Sequence, residues 1–178
     1  MRLVEASVEI GSERFPDVGS FLGVLEEVSD AHGVTAQAFD ARYVVSERHL
    51  ERALELADRE RDRGAGIARD RGIEMTLYAA GRRQIDRALE MGVSAGETPV
   101  VVAVDGANSE ADDEESERRE RAAAEAIGER LVRAETLGSY DDDRVRSFYD
   151  IGAAELDATG AGIEALVLER VALLVVER

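Results

Sequence analysis

The chain has 178 residues, with 39 acids against 22 bases and a net charge of −17, and every base is arginine. That length suits one domain with a sizeable core, and the absence of cysteine excludes disulfides, thiolate catalysis and cysteine-based metal sites. So acidic a surface suits a cytoplasm with molar salt, and in that setting it loses its usual weight against nucleic-acid partners.

In chain order, Met1 to Ile10 alternates as a strand, with Leu3, Ala6, Val8 and Ile10 as candidate buried positions. Asp17 to His32 reads as a helix, with Phe21, Leu22, Leu25 and Val28 on one face and Gly33 as its stop. Thr35 to Tyr43 reads as extended. Ser46 caps a helix reaching about Arg63, with Leu50, Ala53, Leu54 and Ala57 as its apolar stripe and Glu55 paired with Arg59. Ile73, Met75, Leu77 and Ala79 alternate with Glu74, Thr76 and Tyr78, which predicts a half-buried strand. Gly81 turns the chain into a short helix with Ile85, Ala88 and Leu89 inward, and Gly92 ends it. Pro99 to Val104 is a continuous apolar run, the pattern of a central strand, and strand, helix, strand here predicts a crossover unit.

The segment from Asp105 to Ser116 reads as an exposed acidic loop, followed by a helix from about Glu117 to Ala134. Asp141 to Tyr149 is a further short helix, and Ala161 to Val176 is apolar on more than one face, helical at least in its first part. The pattern predicts an α+β fold: residues 1–178 as a single domain, a small mixed β-sheet packed by helices in a two-layer sandwich. No signal peptide or membrane-length apolar run occurs, so a cytoplasmic protein with no membrane partner is expected.

The segment Leu77-Tyr-Ala-Ala-Gly-Arg-Arg-Gln-Ile85 carries the clearest functional signal. As a strand, a glycine turn and a helix start, it offers backbone amides and two guanidinium forks to a phosphate-bearing partner. Two arginines at the positive end of a helix dipole are locally unfavourable, which points to a use beyond stability. Eight arginines between Arg59 and Arg87 face five acids there, a local surplus in a strongly acidic chain. It is no nucleotide-binding loop, since GxxxxGK[ST] and lysine are both absent. Asp141, Asp142 and Asp143 read as a helix cap rather than metal ligands. His32 and His49 form no nucleophile–base pair, so no enzyme chemistry, cofactor or metal is expected. As a helix, the C-terminal segment puts Ile163, Val167, Val171 and Leu174 on one face and Leu166, Leu168, Ala172 and Val175 on others, so it is either buried or shared with a partner.

Several runs together resemble a known family. His49-Leu50 with Ala53 and Ala57, Glu74 to Leu77, Tyr78-Ala-Ala-Gly-Arg-Arg-Gln-Ile85, Ala88-Leu89, Gly92 and Leu166-Val-Leu-Glu-Arg-Val-Ala-Leu-Leu174 are similar to the small accessory subunit of the KEOPS complex. This is the PRPK-binding-protein family in its archaeal form. The resemblance covers roughly Gln37 to Val104 and Val145 to Leu174. It implies a non-catalytic α+β subunit that binds a small kinase-like ATPase. It also implies help in recruiting tRNA, by its 3′ CCA end, for threonylcarbamoyladenosine modification. Carried over by position, Tyr78, Gly81, Arg82, Arg83, Gln84 and Ile85 become candidates for tRNA contact, and Leu166, Leu168, Val171 and Leu174 for the kinase-facing surface. The family often has Ser or Lys around the turn where this chain has Ala80 and Arg82; arginine keeps the charge and adds a bidentate fork. A protein-interaction module whose turn arginines meet acids on the kinase, without RNA, stays open as the alternative.

Overall fold

The computed structural model describes residues 1–106 and 112–176. The fold is α+β, as the element pattern predicts, with eight α-helices and a four-stranded sheet among the described residues. The chain divides into two compact units, Met1–Ala41 with Val93–Thr136 and Arg42–Gly92 with Leu137–Arg178.

The first unit holds the sheet, antiparallel throughout rather than mixed, with the strands in the order β2 (Thr35–Asp40), β3 (Gly96–Asp105), β1 (Arg2–Ile10) and β4 (Val132–Arg133). Strand β1 (Arg2–Ile10) pairs along its whole length with β3 (Gly96–Asp105), and β2 (Thr35–Asp40) lies on the other side of β3. The apolar run at Pro99 to Val104 is therefore an interior strand, as its composition predicts. Val4, Ala6, Val8 and Ile10 alternate inward and join Val100, Val102 and Val104 in one core. Each such valine or isoleucine contributes about 1.5–3 kcal/mol by leaving water. Leu3, expected inward, has the opposite parity to this set, and Val4 takes the buried position.

Helices α1 (Val18–His32) and α5 (Asp113–Arg130) supply Phe21, Leu25, Val28, Ala123 and Ile127 to the same core. Asp17 and Ser20 form a capping box at the start of α1, and Gly33 ends it in the left-handed conformation. Leu22, placed inward by its spacing, is exposed. Of the acidic loop expected over 105–116, Asp105 ends β3 and residues from Asp113 on belong to α5. Asp112 caps α5, and Asp113, Glu114 and Glu115 are its first turn, where carboxylates suit the dipole; residues 107–111 lie outside the described ones. The helix then stops at Arg130, and Val132–Arg133 form the short edge strand β4.

The second unit is helical: α2 (Glu47–Asp62), α3 (Arg71–Ala80), α4 (Ile85–Ala88), α6 (Asp142–Phe148), α7 (Ala153–Thr159) and α8 (Gly162–Leu173). Ser46 caps α2, and Leu50, Ala53, Leu54 and Ala57 are all buried, as predicted. Glu55 pairs with Arg52 rather than with Arg59.

The alternation across Ile73–Ala79 predicts a strand, and the segment is instead helix α3. Asp70 caps it by accepting from Ile73 N–H, and Gly81 closes it. Residues Glu74 to Ala80 are buried on every side, so hydrophobic period cannot distinguish helix from strand here. Glu74 lies inside because its carboxylate accepts the N–H groups of Ile67 and Ala68, which ties down the loop after α2. With no strand at 73–79, the predicted crossover does not exist.

Candidate functional site

Helix α3 ends in a Schellman motif. Gly81 has φ +59°, its N–H bonds Tyr78 O, and Arg82 N–H bonds Leu77 O, both at 3.0 Å. Two consequences follow for the turn. The amides of Gly81 and Arg82 are consumed by the helix end and are not available to a ligand. The two arginines follow the C-terminus of the ten-residue α3, where cations are favoured, and this outweighs the expected conflict with the N-terminus of the four-residue α4.

Arg82 and Arg83 have different surroundings. Arg82 lies against the segment after α6: its guanidinium donates to Phe148 O and to Asp150 Oδ2 (3.0 Å), and stacks 5.4 Å from the Phe148 ring centre. Asp150 is, among the described residues, the one non-glycine with positive φ, at 54°. Arg170 holds the same segment from α8, donating from Nε to Tyr149 O at 3.3 Å and pairing with Glu155 at 2.7 Å. Arg83 is exposed and donates to Leu174 O at 3.1 Å. Gln84 is exposed beside it. Of the three residues expected inward on the short helix, Ala88 alone is buried; Ile85 and Leu89, one helical turn apart, are each 47% exposed, because a four-residue helix followed by a 3-10 turn covers only one side. Tyr78 is buried at 1% exposure and serves the core, where burial and the Glu74 and Glu60 carboxylates raise its pKa.

Behind the turn lies a polar network built on an otherwise orphaned helix carbonyl. Ala79 O, in the last turn of α3, receives both His49 Nε2 (2.8 Å) and Tyr149 Oη (2.7 Å). A carbonyl only accepts, so Nε2 carries the imidazole proton. Burial pushes His49 down to about pH 4 from 6.5, with opposing contributions from the Ala79 hydrogen bond and Glu164. Burial likewise raises the Tyr149 phenol. The unfolded chain protonates this histidine near pH 6.5 and the folded chain resists until about 4, so its contribution is complete above 6.5 and is lost as pH falls between the two. Unfolding free energy is expected to fall by about 1.4 kcal/mol per pH unit across that window. Denaturant midpoints of wild type and His49→Gln measured against pH check this; equal slopes for the two would contradict it.

Helix α8 buries Ile163, Leu166, Val167 and Val171, and Leu174 follows at its end with 1% exposure. Three of the four residues placed on the partner surface by position, Leu166, Val171 and Leu174, are therefore core; Leu168 is half-buried. At 3.6 residues per turn the opposite face carries Ala165, Leu168, Glu169, Ala172, Leu173 and Val176. Leu173 is 38% exposed and Val176, in the turn after α8, is 75% exposed. Among the described residues of the helical unit, Leu89, Leu173 and Val176 are large exposed apolar side chains absent from the sequence-based site candidates. An all-round apolar helix does not reveal which face the core takes.

The turn is mounted on α8. A Cβ on Gly81 would lie 3.0 Å from Arg170 O, and Arg83 bonds Leu174 O, so the turn touches α8 at two points four residues apart.

The family model described as kinase binding protein CGI-121 matches residues 24–174. The chain belongs to this family. No curated protein matches it. Membership of the kinase binding protein CGI-121 family makes a kinase-binding accessory role the plain reading and is consistent with a non-catalytic subunit. Among the described residues no group of three or more His, Asp or Glu is placed to hold a metal ion, and no helix is long and apolar enough to cross a membrane.

Proposed function

We propose that this CGI-121 family member is the accessory subunit of an archaeal, halophilic KEOPS complex. In this reading the outward face of α8, with Leu173 and Val176, docks the kinase-like ATPase subunit. Arg83, Gln84 and Ile85, with Leu89 alongside, receive the 3′ CCA end of tRNA for threonylcarbamoyladenosine modification. Arg82 and Gly81 support that surface from beneath, and Tyr78 anchors it in the core.

The observation that carries the RNA half is the pairing of an exposed, oriented guanidinium with an exposed apolar pair beside it. Charge distribution supports it. The unit bearing the turn has 15 arginines against 19 acids, and the sheet unit 7 against 20. Phosphate thus meets far less repulsion at the helical unit. At about 1 M salt the Debye length is about 3 Å, so long-range attraction and counterion release contribute little. Binding must then come from short contacts: the Arg83 fork on phosphate, and apolar contact of Ile85 and Leu89 with unpaired bases.

The test is capture of RNA by the purified chain at molar salt, using tRNA with and without its terminal CCA. Loss of binding on removing CCA is expected. Equal binding of both forms would place the RNA contact away from the CCA end, and binding of neither leaves the protein-interaction module contacting the kinase alone.

A further inference from the structure

Arg83 makes a contact beyond the turn that carries it. Its guanidinium donates to Leu174 O, at the end of the helix whose other side carries Leu173 and Val176. Gly81 rests against Arg170 O one helical turn earlier. The turn and the exposed apolar residues thus meet at the same C-terminal end of α8. No described residue lies between Arg83 and the Leu174 carbonyl.

We infer that Arg83 and the end of α8 couple the two binding events, so that a kinase docked on Leu173 and Val176 tightens the grip of the turn on RNA. This rests on the reading of the two surfaces given above. An exposed arginine normally loses its rotamer freedom when it takes a phosphate. Here one of its five N–H donors is already spent on Leu174 O, which holds the fork in place and leaves other donors for a phosphate. That restraint is only as firm as the chain end supplying the carbonyl. Beyond Leu173 the chain makes a single turn closed by i→i+3 bonds, with Val175 N–H bonding Ala172 O at 3.3 Å and Val176 N–H bonding Leu173 O at 2.9 Å. A partner seated on Leu173 and Val176 immobilises that turn and with it the carbonyl. Arg83 then has less freedom left to lose when RNA arrives, which is positive cooperativity without any large movement.

Fluorescence anisotropy tests this with a short single-stranded RNA ending in CCA, titrated with the chain alone and with the chain saturated by its kinase partner. The kinase alone is run as the blank. Affinity for the RNA is expected to rise about fivefold with the kinase present, and affinity for the kinase to rise by the same factor with RNA present, as linkage requires. In Arg83→Lys, which retains the charge but loses the fork, RNA binding weakens and the ratio with and without kinase falls to one. A ratio of one in the wild type, with both binary complexes formed, overturns the coupling and leaves the two surfaces standing. A ratio below one, or a wild-type ratio kept in Arg83→Lys, also overturns it. Failure of the RNA to bind the chain at all removes the underlying reading and the coupling together.

Discussion

Leu173→Glu and Val176→Glu are expected to weaken kinase binding at least about 30-fold while leaving the chain as stable as wild type to within about 0.5 kcal/mol. Both side chains are exposed, so a carboxylate at either position costs the isolated chain little. In the complex the same carboxylate would lose its water against an apolar surface without a partner. The inward face of α8 is expected to behave in the opposite way. Leu166→Ala removes a buried side chain and should cost about 2–5 kcal/mol through lost transfer energy and the cavity left behind. Val171→Glu buries an unpaired charge and should unfold the helical unit outright. Thermal denaturation together with kinase titration separates the two faces. Binding retained in Leu173→Glu and Val176→Glu, or lost in Leu166→Ala below its melting temperature, would place the kinase elsewhere.

The adjacent arginines give the second large contrast. Arg83→Ala is expected to weaken tRNA binding about 10- to 100-fold, the range of one charge-assisted bidentate contact. That deficit should persist at molar salt because it comes from hydrogen-bond geometry rather than long-range attraction. Arg82→Ala is expected to destabilise the chain by about 2 kcal/mol. It removes the donor to Phe148 O, the stack on the Phe148 ring and the partner of Asp150, whose left-handed backbone then loses its main restraint. Measured at a temperature where Arg82→Ala is folded, its RNA affinity should lie close to wild type. Equal RNA defects in both variants with no change in stability would mean that Arg82 leaves Phe148 to meet the ligand.

How legible these features were in the sequence depended on whether an element has a clear inside and outside. Strand β1, helix α1 and helix α2 each bury one face, so alternation or a 3.6-residue period revealed them together with the cap at Ser46 and the stop at Gly33. Helix α3 is buried all round, so its apolar positions carried no period, and the alternation across Ile73–Ala79 arose by chance of composition. Its cap residues, Asp70 and Gly81, were nevertheless in plain view and spaced for ten helical residues. Misreading α3 hid the helix C-terminus ahead of the turn, which favours the arginines that the start of the short α4 disfavours. At α8 the apolar character was legible, but the choice of buried face depended on which side meets α2 and α3. The difference between Arg82 and Arg83 required the position of Phe148 and Asp150, more than sixty residues away along the chain.

The reading of one helical unit with two working faces is tested most directly by whether kinase and tRNA bind together. Sedimentation velocity at molar salt on the chain mixed with its kinase partner and CCA-ended tRNA should show a ternary species, with the tRNA share lost in Arg83→Ala and the kinase share lost in Val176→Glu. Displacement of tRNA by the kinase would contradict this and assign the turn at Gly81 to the protein interface.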